Sequence, residues 1–375
     1  MTLKSDCRHF PGDRPCTFNK LDGTMCDNCS HYSTFKQRIL IIKLDATGDV
    51  LRTTSLLPAI REKYPDAHIS WITRKNASGI FANNPDVNRV IAFEDTDSVL
   101  TALAESFDIL YHPDASKASG RLAAAVKAGE KYGFGVNQEG IIFPFTENAV
   151  EWYEMGAFDS KKKANKKSYQ QIIHEICHLE FKGGRIQIHL SGKEKEFAAS
   201  FRKQYNLNRY KKIIGFNTGA GDRWELKQWR FDGYVELLAE LSKIKDLGIL
   251  LYGGPEEAER NNKLATLFPN VTDTGAHNSL REFFALVELA DVFVSGDTLA
   301  LHAATALQKK IVCLFGPTSY NEIYDYGLIK KLYPDMECLV CYKMRCDFVP
   351  NCMDLISTKD ILSSLKNTDP IFRGI

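Results

Sequence analysis

Five stretches of this sequence carry side chains whose types and spacing could do chemistry. The first is Lys43-Leu-Asp-Ala-Thr-Gly-Asp49. A carboxylate at the start of a helix usually only complements its dipole. Held in a cleft beside an acceptor, Asp49 can instead take a hydroxyl proton as the oxygen attacks, a contribution of about 10²–10⁴-fold. The second is Ser295-Gly-Asp-Thr-Leu-Ala-Leu-His302, a turn running into a helix. Free amides at a helix start bind phosphate or diphosphate. Thr298 adds a hydroxyl and Leu299 an amide; Asp297 can cap the helix or accept from a sugar hydroxyl, and His302, one turn on, reads by itself equally well as a core histidine. The third is Phe216-Asn-Thr-Gly-Ala-Gly-Asp-Arg-Trp-Glu-Leu-Lys-Gln-Trp229. Thr218 and Gly219 let the backbone approach phosphate oxygens, and Lys227 supplies positive charge to a departing diphosphate. The fourth, Leu251-Tyr-Gly-Gly-Pro-Glu-Glu257, offers Glu256 or Glu257 to ribose hydroxyls. Leu314-Phe-Gly-Pro-Thr-Ser319 closes the set.

These stretches sit at the ends of short apolar runs. Arg38–Lys43, His68–Thr73, Val87–Phe93 and Phe107–Tyr111 read as strands separated by helical patterns. The same rhythm restarts after residue 210, with strands at 212–217, 248–252, 271–272, 292–295 and 311–315. Alternating strands and helices imply parallel sheets covered on both faces, so two α/β halves share the chain. Ligands of such sheets bind outside the carboxyl ends of the strands, and two facing sheets place the site in the cleft between them. The expected organisation is a Cys-rich segment over 1–36, a first Rossmann-like domain over 37–200 and a second over 201–335. A Cys-rich finger and terminal helix follow over 336–375. The hinge is expected near 190–208. The turn at 43–49 lacks Gly-x-Gly-x-x-Gly, so it is not a dinucleotide fingerprint.

The 375 residues are 44% hydrophobic and 25% charged, enough for two cores. Forty-eight basic and 47 acidic side chains leave a net charge of +1, which argues against nucleic acid as a partner. No apolar leader or membrane-spanning run is evident, so a cytoplasmic location is expected. Lys161, Lys162, Lys163, Lys166 and Lys167 crowd one stretch. The bland reading is a solvated loop; the sharper one is a patch that steers an anionic acceptor or touches the inner face of the membrane.

Eight of the ten cysteines fall in two groups, Cys7, Cys16, Cys26 and Cys29, and Cys338, Cys341, Cys346 and Cys352. Each contains a Cys-x-x-Cys pair and totals four thiols, the donor set for structural zinc or iron, and an iron–sulfur cluster is not excluded by spacing. Both groups lie outside the donor motifs, so structural roles are expected.

The ordered set of motifs resembles glycosyltransferase family 9, the ADP-heptose:lipopolysaccharide heptosyltransferases. The resemblance rests on Lys43-x-x-x-x-Gly-Asp49, Thr218-Gly with Lys227-x-Trp229, Gly253-x-x-x-Glu257, Thr274–Glu282, Asp297-Thr-x-x-x-His302 and Phe315-Gly-Pro-Thr318, spanning about Arg38 to Leu355. It implies a GT-B fold, two facing Rossmann-like domains with a cleft between them. It also implies metal-independent, inverting transfer of a heptose or related sugar from an ADP-sugar to a glycan, glycolipid or protein hydroxyl. Asp49 then matches the general base, with Arg52 and Lys161–Lys163 on the acceptor side. Thr218 and Lys227 match phosphate contacts, Glu256 or Glu257 the ribose contact, and Asp297, Thr298 and His302 the diphosphate and sugar loop. The family usually carries glycine where Leu299 stands, which bears on the donor geometry. The second cysteine group resembles the finger of autotransporter heptosyltransferases, for which iron is implied. Self-association into a homo-oligomer is compatible with this reading. Two rivals are a non-catalytic sugar-nucleotide-binding or assembly protein and an iron–sulfur redox protein.

Overall fold

A computed structural model describes residues 3–374, with the side chains at 222 and 223 outside the description. The first sheet holds β1 (Arg38–Ile42), β2 (His68–Thr73), β3 (Arg89–Ala92), β4 (Ser106–His112), β5 (Lys127–Val136) and β6 (Ile142–Pro144). Their spatial order is β3-β2-β1-β4-β5-β6, parallel except for β6, which runs antiparallel to β5. The second sheet holds β7 (Lys212–Asn217), β8 (Leu247–Tyr252), β9 (Val271–Asp273), β10 (Val292–Gly296), β11 (Lys310–Leu314) and β12 (Ile329–Leu332). It is wholly parallel in the order β12-β11-β10-β7-β8-β9.

Continuous apolar runs form the central strands because both faces are covered. In β1, Ile39 and Ile41 pack with Val50, Leu51 and Leu57 on one face. Leu40 and Ile42 meet Leu110 and Leu122 on the other. In the second sheet, Ile249 and Leu251 face one core and Leu250 and Tyr252 the opposite one. Each such buried side chain contributes about 1.5–3 kcal/mol relative to exposure.

In both sheets the chain order reverses next to a central strand, between β1 and β4 and between β7 and β10. A crevice opens outside the carboxyl ends there. The turn after β1 and the turn after β10 face each other across it.

The domain boundary falls near residue 190 rather than 200. The helix Gly192–Gln204 buries Ala198 with Leu207, Tyr210 and Leu286 of the second domain, whereas Ile186 belongs to the first core. Arg281 clasps this junction. It pairs with Glu194 and donates to the carbonyls of His189 and, at 3.3 Å, Gly79 of the first domain. That guanidinium, first among the causes, draws the Glu194 carboxyl down to about 2. The terminal helix Thr358–Thr368 is part of the second core, through Ile361 and Leu365. Trp229 packs there too, donating its indole N–H to the Ile356 carbonyl at 2.9 Å.

Candidate functional site

Asp49 lies in the first turn of the helix Thr47–Thr53, which starts just beyond β1. Its carboxylate accepts from Arg52 Nη2 at 2.8 Å, one turn on. Burial alone would raise its pKa, but Arg52, Lys43 and His302 outweigh that and hold it below the ordinary carboxylate range. Lys43 is buried beneath the turn, 3.1 Å from Asp114. The Arg52 guanidinium also lies 3.7 Å from the centre of the Tyr169 ring, and its Nε has no partner. Arg52, expected to bind acceptor, is thus first a partner of Asp49.

The second domain supplies the opposite wall. Thr298 precedes the helix Leu299–Ala306 with no side chain capping it, so the first amides of that helix are open to the cleft. Lys227 donates to the Asp297 carboxylate and to its carbonyl, both at 3.0 Å. Thr318 donates to the same carboxylate at 2.8 Å. Against the effect of burial, Lys227 and His302 hold the Asp297 carboxyl well below its usual value. His302 is buried, and burial, aided by Arg52, pulls it down to about 4, so it is neutral at ordinary pH. The walls touch at Gly48, where a Cβ would stand 3.1 Å from His302 Cδ2 and 3.5 Å from Leu299 Cα. A Cβ there would press the facing side chain back by a few tenths of an ångström, so glycine suits the close approach.

Two adjoining cavities meet at this contact. One, of about 460 Å³, is lined by Asp49, Arg52, Lys227, Asp297, His302 and Glu322, with Trp224 and Tyr342. The other, of about 430 Å³, is lined by Gly219, Gly253, Gly254, Glu256, Glu257 and Phe283. Thr298 and Leu299 border both, so the open helix start stands between a pocket of nucleotide size and the one that holds Asp49.

The predicted residues do not all converge. Thr218 is buried and donates to Asn261 at 2.6 Å, lining neither cavity. Glu256 and Glu257 both line the second cavity. Glu257 Oε2 accepts from the Gly254 amide at 2.7 Å, while its buried Oε1 has no partner. Of the lysine stretch, Lys161 pairs with Glu154, and Lys167 bridges Glu151 and Glu175 at 2.7 Å each. Lys163 borders a separate cavity. Lys162 alone approaches the cleft, 4.4 Å from the Tyr342 ring centre.

Sequence reasoning missed Glu322 and Tyr342. Tyr342 sits between Cys341 and Cys346, so the finger reaches into the cleft. Its hydroxyl donates to Glu322 Oε1 at 3.0 Å and accepts from the Ser319 amide at 3.2 Å. Burial raises the Glu322 carboxyl above its usual value, against the pull of Arg52. Cys352 packs so closely on Gly316 that a Cβ there would stand 2.7 Å from its sulfur. The second cysteine group therefore leans on the Phe-Gly-Pro-Thr turn, correcting the expectation that it lies apart from the donor motifs. The only signal for this was the position of Tyr342 inside the cysteine spacing. Tyr342→Phe is expected to leave a buried carboxylate short of a donor and to lower stability by about 1–3 kcal/mol, read from urea unfolding.

All ten cysteines are free. Cys352 is pushed up to about 11 by burial and then by the neighbouring thiols of Cys341, Cys346 and Cys338. Cys7, Cys16, Cys26 and Cys29 line a single cavity. Among the described residues, no three His, Cys, Asp or Glu side chains are placed to hold a metal ion. The two groups do not form one mixed site, for the first packs on the first domain through Arg8 and Asp66 and the second on the second domain. No helix among the described residues is long and apolar enough to cross a membrane.

Comparison with known proteins bears on this geometry. A family model described as glycosyltransferase family 9 (heptosyltransferase) matches residues 98–349. Lipooligosaccharide heptosyltransferase 2 of Campylobacter jejuni is 22% identical over 218 residues, covering 56% of this chain and 66% of that relative. Among solved structures, a glycosyl transferase family 9 protein from Veillonella parvula superposes with a TM-score of 0.70 at 15% identity, over 91% of this chain and 98% of that one. The ADP-heptose LPS heptosyltransferase II of E. coli gives 0.64 at 18% identity, over 90% and 99%. The iron-containing dodecameric glycosyltransferase TibC of enterotoxigenic E. coli gives 0.55 at 11% identity, over 90% and 80%. The fold is thus that of the GT-B heptosyltransferases, as expected.

Proposed function

The chain belongs to glycosyltransferase family 9, and we propose that it moves a heptose, or a related sugar, with inversion from an ADP-sugar to an acceptor hydroxyl. One observation carries this: Asp49, held ionised by Arg52, faces the open helix start at Thr298 across a single cavity that also contains Lys227. Asp49 takes the acceptor proton as the oxygen attacks the anomeric carbon. The first amides of the helix Leu299–Ala306 and the Lys227 ammonium receive the charge that develops on the departing ADP. The chemistry requires no divalent metal, because these groups supply the counter-charge.

ADP occupies the second cavity, with a ribose hydroxyl donating to the unpartnered Glu257 Oε1. The names of the relatives, lipooligosaccharide and ADP-heptose heptosyltransferases, favour ADP-heptose as donor and a lipopolysaccharide-core sugar as acceptor. A glycolipid or protein hydroxyl is the next choice. Arg52, Glu322 and Tyr342 form the acceptor side, and the largely ion-paired lysine stretch contributes little beyond Lys162. Work on such an acceptor places the enzyme in the cytoplasm, at the inner membrane face. The dodecameric TibC makes a homo-oligomer a reasonable state to look for. Both cysteine groups act structurally, and their thiol sets would suit zinc or iron.

A ligand that binds only the folded state raises the melting temperature. ADP-heptose is expected to do so, and UDP- and GDP-sugars are not. Glu257→Gln should diminish the shift several-fold, whereas Glu256→Gln should leave it unchanged. No shift with any ADP-sugar would overturn the donor assignment. A non-catalytic sugar-nucleotide-binding protein would show the shift but release no ADP in the presence of deacylated lipopolysaccharide core.

A further inference from the structure

The cavity that holds Asp49 also contains a carboxylate that the transfer itself does not use. Two ion pairs line this space, Arg52 with Asp49 at 2.8 Å and Lys227 with Asp297 at 3.0 Å. Glu322 borders the same space and belongs to neither pair. It is 8% exposed. The Tyr342 hydroxyl donates to its Oε1 at 3.0 Å. Among the described residues, nothing donates to Oε2. A buried carboxyl oxygen short of a donor is costly to keep, so its presence beside a cavity calls for a ligand that supplies one.

The side chain is held in place from both sides of the cleft. Glu322 lies in the loop between β11 and β12. Its backbone carbonyl accepts from the Tyr169 amide of the first domain at 2.9 Å. The neighbouring Asn321 side chain donates to the Asn165 carbonyl, also of the first domain, at 3.1 Å. The Ser319 amide donates to the Tyr342 hydroxyl at 3.2 Å, which fixes the group that holds Oε1. The carboxylate is thus placed before any acceptor arrives, and a preorganised group spends little on binding. Asp49 and Glu322 share one space of about 460 Å³. Arg52, bonded to Asp49, is near enough to pull on Glu322 as well. A guest with a single hydroxyl satisfies Asp49 and leaves Glu322 short of a donor. A guest with a second hydroxyl satisfies both.

We propose that Glu322 reads a second hydroxyl of the acceptor through Oε2, while Asp49 takes the proton of the first. This rests on Asp49 as the base and on the cavity as the acceptor's seat, and it deepens that reading. No bond is made or broken at Glu322. It selects an acceptor residue with two neighbouring hydroxyls over one that offers a lone hydroxyl, as a serine or threonine side chain does. A site built to hydrogen-bond a substrate hydroxyl rejects the analogue without it, because the buried group is then left unpaired.

The test is steady-state transfer from ADP-heptose to deacylated lipopolysaccharide core by the full chain. Glu322→Gln keeps the shape of the side chain and an oxygen for Tyr342. It is expected to raise the acceptor KM by about tenfold or more, with the ADP-heptose KM and the melting temperature close to native. An unchanged acceptor KM would overturn the proposal. So would a joint fall in kcat, donor affinity and melting temperature, the mark of a mere prop for Tyr342. Core in which the hydroxyl beside the attacking one is replaced by hydrogen gives a second arm. The native enzyme should use it about tenfold less well or worse, and Glu322→Ala should no longer tell it from intact core. Equal penalties in the two proteins would refute the contact. A serine peptide accepted as readily as core would refute selection for two hydroxyls. Should the native protein release no ADP with core, the transferase reading fails, and calorimetric binding of core in the presence of ADP decides here. Binding weakened by Glu322→Gln would uphold the proposal; binding unaffected, or absent from the native protein, would refute it.

Discussion

Asp49→Asn is expected to lower turnover by about 10²–10⁴-fold while leaving ADP affinity close to native. The substitution keeps the shape of the side chain and an oxygen for Arg52 Nη2, now 2.8 Å away. It removes only the ability to accept a proton. Initial rates of ADP release with acceptor present, set beside calorimetric ADP binding, separate the two effects. A rate within a few-fold of native would take Asp49 out of the proton transfer. The pH profile gives a second check. Because Arg52, Lys43 and His302 hold the Asp49 pKa down against burial, the base stays ionised as pH falls through about 3.9, the ordinary aspartate value. The acid limb of kcat/KM, which reports the free enzyme's base, should therefore fall below that point. Arg52→Ala should move it upward.

Lys227→Met should lower turnover by about 10²–10³-fold, the usual effect of removing one preorganised donor to developing negative charge. It also strips the Asp297 carboxylate of its nearest cation, a pair in which the two side chains are only 13% and 17% exposed. Loss of rate could then reflect a damaged loop. Adding Asp297→Asn separates these causes, because the neutral amide no longer needs a counter-ion. The double variant is expected to regain the melting temperature lost by Lys227→Met but not the turnover. Recovery of both would make Lys227 a support for Asp297 and nothing more.

The alternating architecture was legible because buried parallel strands are short continuous apolar runs, as at Ile39–Ile42 and Ile249–Leu251. β5 was not, since Lys127-Ala-Gly-Glu-Lys-Tyr-Gly-Phe-Gly-Val136 is polar and glycine-rich and covered only toward its end. The donor loops could be read because helix starts, glycines and charges cluster locally in sequence. Thr218 misled for the same reason: its neighbours face the pocket while its own hydroxyl turns inward to Asn261. Glu322 could not be read, and Tyr342 only by its place inside the cysteine spacing. Their meaning comes from a contact twenty residues apart in the chain, between a loop after β11 and a finger whose cysteines draw attention elsewhere. The lysine stretch is less basic in place than in sequence, because Glu154, Glu151 and Glu175 pair with Lys161 and Lys167.

The touching of the two domains at Gly48 limits what that turn can carry. A Cβ there would stand 3.1 Å from His302 Cδ2, so the facing wall would have to yield. A bulkier residue at position 48 would act as a doorstop.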